Sequence, residues 1–230
     1  MKKIVLGLIL ISSLSAFCQK LGSGITDIDG NNYNSVIIGT QEWTKENLNV
    51  SKYSDGTIIP QVTDPTAWVS LTTGAWCYYN NDSENGTTYG KLYNWYAVND
   101  SRGLAPVGYH VATPTEWNTL KAATTGPTLK SNTTDWGGSV TISNNVTAFS
   151  PGVWAGNNVS GFSALPGAFI DAVGLPNQFG TAGWFWTSQA DPSNSAKAYW
   201  RLLHMYDSYG LLDVGSYPKK YGLSIRLVKD

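Results

Sequence analysis

The chain has 230 residues and a formal net charge of −1, and only 13% of its residues are charged, about half of the ~25% usual in soluble proteins. No basic patch or acidic tail stands out, which argues against nucleic acid as a partner. The 10 Trp, 13 Tyr and 6 Phe provide large apolar area, and the length fits one domain.

Residues 1–18 are predicted to be a cleavable signal peptide. Lys2 and Lys3 form a positive start, and the apolar run over residues 4–11 follows them. This run is too short to span a bilayer, which needs about 20 residues. The alternative interpretation of the same run is an N-terminal core helix. The sequence therefore predicts a secreted or surface protein, with no transmembrane segment in the mature chain.

The cut site decides how many cysteines the mature chain keeps. Ala16 and Cys18 are small residues at the positions that favour cleavage before Gln19. A lipidated Cys18 is the competing interpretation, which the bulky Phe17 directly before it disfavours. With cleavage before Gln19, Cys77 is the sole cysteine left, and no intrachain disulfide can form.

The mature chain is predicted to begin with a short leader over residues 19–24, followed by a single domain over residues 25–230. Asp29-Gly30 predicts a type I′ hairpin turn. The β-branched residues that follow predict a strand over residues 35–38 and a small meander. Residues 51–74 are predicted to be mainly loop, with one short helix or strand.

Aromatic and polar segments alternate through the middle of the chain. An aromatic strand is predicted over residues 75–79 and a polar loop over residues 80–86, whereas residues 91–98 fit either a strand or a helical turn. Thr113, Pro114 and Glu116 form a capping box and predict a helix that ends near residues 124–126.

The second half contains a long polar segment and then three aromatic or alternating strands. Residues 126–158 are rich in Thr, Asn, Ser and Gly and predict a long loop with minor strands. Strands are predicted over residues 183–188 and 198–203, and the alternation over residues 221–228 predicts a half-buried final strand.

The order of these pieces resembles one known family, the Fibrobacter succinogenes major paralogous domain (FISUMP). The resemblance covers the chain from about Thr26 to Asp230. The segments that carry it are Asp27-Ile28-Asp29-Gly30-Asn31, Ile38-Gly39-Thr40-Gln41-Glu42-Trp43, Glu46-Asn47-Leu48, Trp76-Cys77-Tyr78-Tyr79-Asn80-Asn81, Tyr89-Gly90-Lys91-Leu92-Tyr93-Asn94-Trp95, Pro106-Val107-Gly108-Tyr109-His110-Val111 with Pro114-Thr115-Glu116-Trp117, Gly161-Phe162-Ser163-Ala164-Leu165-Pro166-Gly167, Phe185-Trp186-Thr187-Ser188, and Tyr221-Gly222-Leu223-Ser224-Ile225-Arg226-Leu227-Val228.

The resemblance implies an exported bacterial protein with an α+β, C-type-lectin-like mixed fold of short strands, one or two helices and long loops. It implies no particular biochemical activity. The sugar-binding motifs of calcium-dependent lectins are missing, with Val98-Asn99-Asp100 as the nearest match, and no cysteine follows Cys77. The resemblance also places the chain in the fold group of the formylglycine-generating enzymes, which use a cysteine pair in the last part of the domain. Neither the lectin activity nor that enzyme activity therefore carries over residue by residue.

Catalytic and metal sites have little support in the sequence. Cys77 with His110 or His204 could form a nucleophile pair, but a free cysteine in an aromatic strand is usually a buried apolar residue. The spacing of Asp27, Asp29 and Asn31 departs from a calcium loop, so the hairpin interpretation is preferred. No cofactor is expected; the alternative is calcium, with Asn80, Asp82 and Glu84 as the candidate ligands.

Ligand binding is predicted in the final third of the chain, where Tyr, Ser and Asn are dense, as they are in recognition loops. The alternative is that the tryptophans there are simply core. The candidate ligand-binding residues are Trp184, Trp186, Ser188, Gln189, Asn194, Tyr199, Trp200, Arg201, His204, Tyr206, Asp207 and Tyr209. The leading hypothesis is a non-enzymatic recognition module for a glycan or protein ligand; a structural or adhesin subunit comes second and an enzyme third.

Overall fold

The computed structural model describes residues 19–137, 139–142, 146–149, 155–206 and 212–230, so the predicted signal peptide lies outside the described residues. The helices are α1 (Pro65–Val69), α2 (Ser83–Tyr89), α3 (Trp95–Val98), α4 (Pro114–Ala123) and α5 (Gly126–Leu129). The strands are β1 (Lys20–Leu21), β2 (Ile25–Thr26), β3 (Asn32–Tyr33), β4 (Ser35–Ile38), β5 (Gln41–Thr44), β6 (Trp76–Cys77), β7 (Leu92–Asn94), β8 (Tyr109–Val111), β9 (Ser139–Ile142), β10 (Val146–Phe149), β11 (Gly167–Ile170), β12 (Pro176–Phe179), β13 (Ala182–Ala190), β14 (Lys197–His204), β15 (Leu212–Pro218), β16 (Gly222–Leu223) and β17 (Leu227–Lys229).

Two larger sheets organise these elements into an α+β fold. A five-stranded antiparallel sheet has the order β1-β4-β5-β17-β8. A second sheet runs β15-β14-β13-β11-β16-β7-β6, with β12 paired to β11 off this path. Only the β11–β13 pairing in this second path is parallel, and it consists of the single pair Ala168↔Gly183. Among the described residues, no helix is long and apolar enough to cross a membrane.

Four fully buried rings fill the space between the five-stranded sheet, α4 and β13. Trp43, Trp117, Phe162 and Phe185 are each 0% exposed, and their ring centroids lie 4.8–6.4 Å apart. We call these four residues the inner aromatic cluster. Each ring buries large apolar area, so this cluster is a main source of hydrophobic stabilisation.

Arg226 lies against the inner aromatic cluster and ties three chain segments together. Its guanidinium carbon is 4.5 Å from the Phe162 ring centroid. Its nitrogens donate to the Asn47 side chain and to the backbone oxygens of Thr44, Phe162 and Ser163, at 2.7–3.1 Å. Burial lowers the pKa of Arg226 to about 9. A cation this deep is held by fixed carbonyl and amide dipoles.

Several predicted elements are confirmed. Helix α4 has the predicted capping box: Thr113 accepts from the Glu116 backbone, and the Glu116 carboxylate accepts from the Thr113 backbone. Residues 91–98 contain both alternatives, because β7 leads directly into α3. The polar segment 126–158 contains α5 and the minor hairpin β9–β10.

Two local predictions are corrected. The hairpin turn spans Asp27–Gly30, and of Asp29 and Gly30 only Gly30 has a positive φ, so the turn at Asp29-Gly30 is not type I′. The segment predicted as a polar loop over residues 80–86 holds the end of a 3₁₀ turn (Tyr79–Asn81) and most of α2, which Asp82 caps. The Asp27 and Asp82 carboxylates, which accept nearby backbone N–H groups, set both shapes.

The predicted final strand is also split, and the predicted leader is partly a strand. β16 belongs to the second sheet and β17 to the first, with buried Arg226 between them. Within the predicted leader, Lys20 and Leu21 pair with Ile37 and Val36 at the edge of the five-stranded sheet. Both the division of the final strand and the pairing of β1 result from contacts between segments far apart in the chain. The local sequence pattern does not predict such contacts.

Candidate functional site

Successive residues of β13 point to opposite faces of the second sheet. The register pairs Trp184 with Leu202 and Phe185 with Arg201 across β13 and β14. Side chains alternate along a strand, so Trp184 lies on one face and Phe185 on the other. Phe185 enters the inner aromatic cluster, and Trp184 enters a second group of rings.

This second group lies on the face of β13–β15 away from α4, and we call it the outer aromatic cluster. Its members are Phe169, Trp184, Trp200, Tyr217 and Tyr221. Neighbouring ring centroids are 4.5–6.0 Å apart. Phe169 and Trp184 are buried beneath, whereas Trp200, Tyr217 and Tyr221 are half-buried. Three aromatic side chains are thus partly open to solvent on one surface.

A glycine on the edge strand fixes the position of the Trp200 ring. Gly215 of β15 is directly opposite Trp200. A Cβ atom placed on Gly215 would lie only 2.4 Å from Cζ2 of Trp200. The indole therefore occupies the space that the Cβ atom of any other residue at position 215 would need.

Amide side chains border the outer aromatic cluster. Trp184 Nε1 donates to Gln178 Oε1 at 3.2 Å, and the exposed Gln178 has a left-handed φ of 58°. The exposed Asn177 is paired with Phe169 and shares its side of the sheet. Trp200 Nε1 is buried and has no hydrogen-bond partner among the described residues. The surface combines apolar rings with neutral hydrogen-bonding groups.

The structure brings only some of the predicted ligand-binding residues to this surface. Trp184 and Trp200 belong to it. Trp186 is fully buried and donates its indole N–H to the Tyr93 backbone oxygen at 2.9 Å. Arg201 is 3% exposed on the opposite face, where it donates to the backbone oxygen of Pro114 and to the Asn118 side chain. Trp186 and Arg201 therefore serve the interior.

The other predicted residues that the structure describes lie elsewhere on β13 and β14 or in the segments next to them. Tyr199 shares the opposite face with Arg201. Ser188 and Gln189 are exposed at the end of β13, and Asn194 shapes the turn into β14 by accepting from the Ala196 backbone. The rings of His204 and Tyr206 stack 5.0 Å apart near the other end of β14. Asp207 and Tyr209 lie outside the described residues.

Sequence reasoning missed Phe169, Tyr217, Tyr221 and Gln178. Phe169 and Gln178 lie on β11 and β12, which precede the predicted ligand-binding residues in the chain. The alternation Asp213, Gly215, Tyr217 along β15 was a usable signal, because it places Tyr217 on the same side as the glycine that receives Trp200.

The predicted calcium candidates do not converge. Asn80 is exposed in a left-handed conformation, the Asp82 carboxylate accepts from the Glu84 backbone at 2.9 Å, and Glu84 is exposed in the first turn of α2. At the other acidic segment, Asp27 accepts four hydrogen bonds, from the Asp29 backbone, from the backbone and side chain of Asn31, and from the Tyr33 hydroxyl. Among the described residues, no group of three or more His, Cys, Asp or Glu side chains could hold a metal ion.

Cys77 and His110 each occupy a structural environment. Cys77 is 3% exposed, and burial raises the pKa of its thiol to about 12. The ring nitrogens of His110 bond to the carboxylates of Glu116 at 2.8 Å and Asp230 at 2.7 Å. Burial lowers the pKa of His110, but these two hydrogen bonds outweigh it and raise the pKa overall.

Comparison with known proteins supports the resemblance noted in the sequence. The family model described as the Fibrobacter succinogenes major domain matches residues 36–229, which is most of the chain. The chain belongs to this family. No curated protein and no solved structure gives a match to it.

Proposed function

We propose that this family member is an exported bacterial recognition domain that binds a glycan at the outer aromatic cluster and performs no catalysis. The observation that carries the proposal is the half-buried trio of Trp200, Tyr217 and Tyr221 above buried Trp184 and Phe169. Rigid aromatic side chains provide contact area at low entropy cost. An aromatic surface held in place by a packed layer beneath is preorganised for a ligand.

Glycan is preferred over protein as the ligand because of the surface chemistry. The faces of sugar rings are apolar, while their hydroxyls both donate and accept hydrogen bonds. Gln178 and Asn177 at the border, and the hydroxyls of Tyr217 and Tyr221, offer matching neutral groups. A chain with 13% charged residues and a net charge of −1 has little electrostatic steering to offer a charged partner.

The C-type-lectin-like fold that the family resemblance implies is also a proposal. We propose that the α+β arrangement is a C-type-lectin-like variant without the disulfides and calcium motifs of the animal lectins. A solved structure of this chain that superimposes on such lectins over both sheets would support this assignment. Superposition on an unrelated fold would remove it, although the glycan proposal would still stand on the outer aromatic cluster.

Export is likewise proposed, through a signal peptide over residues 1–18 and a cut before Gln19. Mass spectrometry of the exported protein tests it. An N-terminus at Gln19, or a pyroglutamate formed from it, supports simple secretion. A diacylglyceryl group on Cys18 establishes a lipoprotein, and retention of the full chain in the cytoplasm contradicts export.

A glycan array comparing the unaltered protein with Trp200→Ala tests the binding proposal. We expect glycan signals for the unaltered protein and at least a tenfold weaker response for the variant. Tyr96→Ala, which alters a half-buried tyrosine outside the outer aromatic cluster, is the matched control and should keep the signal. No signal for any of the three proteins, or an undiminished signal for Trp200→Ala, contradicts the proposal.

The second candidate function, a subunit of a surface assembly, is favoured by the edge of the second sheet. In the part of the chain that the structure describes, β15 pairs only with β14, and Val214 on β15 is 61% exposed. A free edge is a template for pairing with another chain. Light scattering that finds a stable oligomer, lost in Val214→Lys, would favour assembly; a monodisperse monomer without cell binding would count against it.

A further inference from the structure

A separate cleft lies between the start of α1, the 3₁₀ turn at Tyr79–Asn81 and the turn that joins β11 to β12. Its volume is about 230 Å³. Buried Trp68, Cys77 and Ile170 of a small satellite core lie at its base, and Leu175, 50% exposed, stands on one wall. We call this the Asn80 cleft, because Asn80 forms its open rim.

The β11–β12 turn is fitted tightly against α1, which gives the cleft a fixed wall. A Cβ atom on Gly174 would lie 2.5 Å from the Pro65 backbone oxygen. The Asp171 carboxylate accepts from the Val173 and Leu175 backbones at 3.0–3.1 Å and holds the turn in shape. One wall of the cleft is therefore formed by a turn that packs closely against the start of α1.

The rim of the Asn80 cleft is polar but almost uncharged. Its polar side chains include the amides of Asn80 and Asn81 and the Thr63 hydroxyl. Among the described residues, no lysine or arginine lines it, and the single carboxylate, Asp64, uses one oxygen to cap α1 by accepting from the Ala67 backbone at 2.7 Å. Such a lining disfavours anions and suits a neutral ligand with one apolar face and several hydroxyl or amide groups.

The backbone at the rim is strained. Asn80 and Asn81 have consecutive positive φ values, 53° and 56°, in the left-handed region that residues other than glycine seldom adopt, although asparagine tolerates it better than most. The Asn81 side chain donates to the Thr63 backbone oxygen at 3.0 Å, whereas the Asn80 side chain makes no hydrogen bond within the described residues. Backbone strain of this kind is common at binding sites, where a side chain is placed for contact with a ligand and not for stability of the fold.

We propose that the Asn80 cleft binds one neutral sugar residue, with the amide of Asn80 as a direct hydrogen-bonding group. The volume lies below the roughly 300–1,000 Å³ of sites for drug-sized ligands, so the ligand is a single ring and not an oligosaccharide. This site is separate from the outer aromatic cluster and does not depend on the function proposed for that cluster.

The test is a titration followed by NMR, with the side-chain amide signals of Asn80 and Asn81 as reporters. The probes are galactose, mannose and N-acetylglucosamine, with glucuronate as the charged counterpart. We expect at least one neutral sugar to shift the Asn80 and Asn81 signals, and glucuronate to bind at least tenfold more weakly. Absence of shifts for all three neutral sugars overturns the proposal, as does equal binding of glucuronate.

Variants separate ligand binding from a role in the fold. Asn80→Gly relieves the left-handed strain and removes the amide, so we expect at least tenfold weaker binding with no fall in the melting temperature. Asn80→Asp keeps the size and the tolerance of positive φ but replaces the donor with a charge, and it should also lose binding. Thr88→Ala, an exposed change on α2 away from the cleft, should bind normally.

Two further outcomes decide against the proposal. Unchanged binding in both Asn80 variants overturns it, and so does a clear drop in melting temperature for Asn80→Gly, because asparagine would then serve the fold. A negative glycan array together with sugar shifts at Asn80 would remove only the function proposed for the outer aromatic cluster. The reverse result would remove only the Asn80 cleft.

Discussion

The inner and outer aromatic clusters are made from the same residue types, and adjacent positions of one strand supply both. Phe185 enters the inner cluster and is 0% exposed, while Trp184 supports the outer cluster, where Trp200 and Tyr217 remain half-buried. The inner cluster is sealed between the five-stranded sheet and α4. In the outer cluster, Phe169 and Trp184 belong to a larger buried core, and the rings of Trp200, Tyr217 and Tyr221 that pack against it are partly exposed. The aromatic content of a strand therefore does not reveal whether its rings stabilise the fold or face a ligand.

The largest expected effect is at the cation that supports the inner cluster. Arg226→Met would leave the Thr44 and Phe162 backbone oxygens and the Asn47 side chain without a donor. We expect the free energy of unfolding to fall by about 3–5 kcal/mol, measured by urea denaturation. Arg102→Met, at an exposed arginine that pairs with Asp100, is the control and should change little. A loss below about 1 kcal/mol for Arg226→Met would show that the burial of this cation is unimportant.

Truncating one tryptophan in each cluster tests the comparison directly. Trp117→Ala removes a fully buried ring and should lower the free energy of unfolding by about 3–5 kcal/mol. Trp200→Ala removes a half-buried ring and should cost less, about 2–3 kcal/mol, while glycan binding is lost. Chemical denaturation of both variants gives the numbers. Equal losses of stability would mean that both clusters are core, and the surface assignment would fail.

A smaller change tests whether the position of the Trp200 ring in the outer cluster matters for binding. Gly215→Ala places a Cβ against the Trp200 indole and forces the ring to move. We expect glycan affinity to fall about tenfold, with a loss of stability near 1 kcal/mol, seen by binding titration and by tryptophan fluorescence. Val214→Ala, next along β15 but on the opposite face, should leave affinity unchanged. Equal affinities for the two variants would argue that the Trp200 position is not critical.

The smallest expected effect is the pH dependence of stability that His110 causes. This residue lies in the part of the molecule that contains the inner cluster. His110 on β8 connects Glu116 of α4 to Asp230, and its pKa is raised above the ordinary value of about 6.5. The stabilisation is therefore fully present below about pH 6.5 and is lost as the pH rises through the raised pKa. Because the imidazole is 36% exposed, solvent screening keeps the effect below about 1 kcal/mol.

Thermal unfolding of the unaltered protein and of His110→Gln between pH 5 and pH 9 measures this contribution. The unaltered protein should lose stability with rising pH relative to the variant. Parallel pH profiles would show that the two carboxylate contacts do not favour the protonated imidazole.

Elements whose structure depends on neighbouring residues alone were predictable from the sequence. Thr113, Pro114 and Glu116 predicted the start of α4, because a capping box satisfies the first N–H groups of a helix from neighbouring residues alone. Asp82 shows the limit of this reasoning. It lies in a segment that looked like a solvated loop, yet it caps α2, a short helix with only weak apolar periodicity.

The candidate site was predictable only in part. The density of Trp and Tyr pointed to β13 and β14, and Trp184 and Trp200 are indeed neighbours there, 4.9 Å apart. Phe169 and Tyr217 join them from other strands and Tyr221 from the segment just before β16, whereas Trp186 and Arg201 are buried. Which face of a strand stays open depends on what packs against it, and that is a property of distant segments.

The sequence by itself determined the family, the mixed α+β class and the well-capped helix α4, because these rest on residue order and on contacts within a few positions. The tertiary structure alone decided that the last segment divides between two sheets around Arg226, and that Phe185 and Trp184 join different clusters, one fully buried and the other partly exposed at Trp200 and Tyr217. Register and sheet order place residues far apart in the chain side by side, and burial follows from that placement.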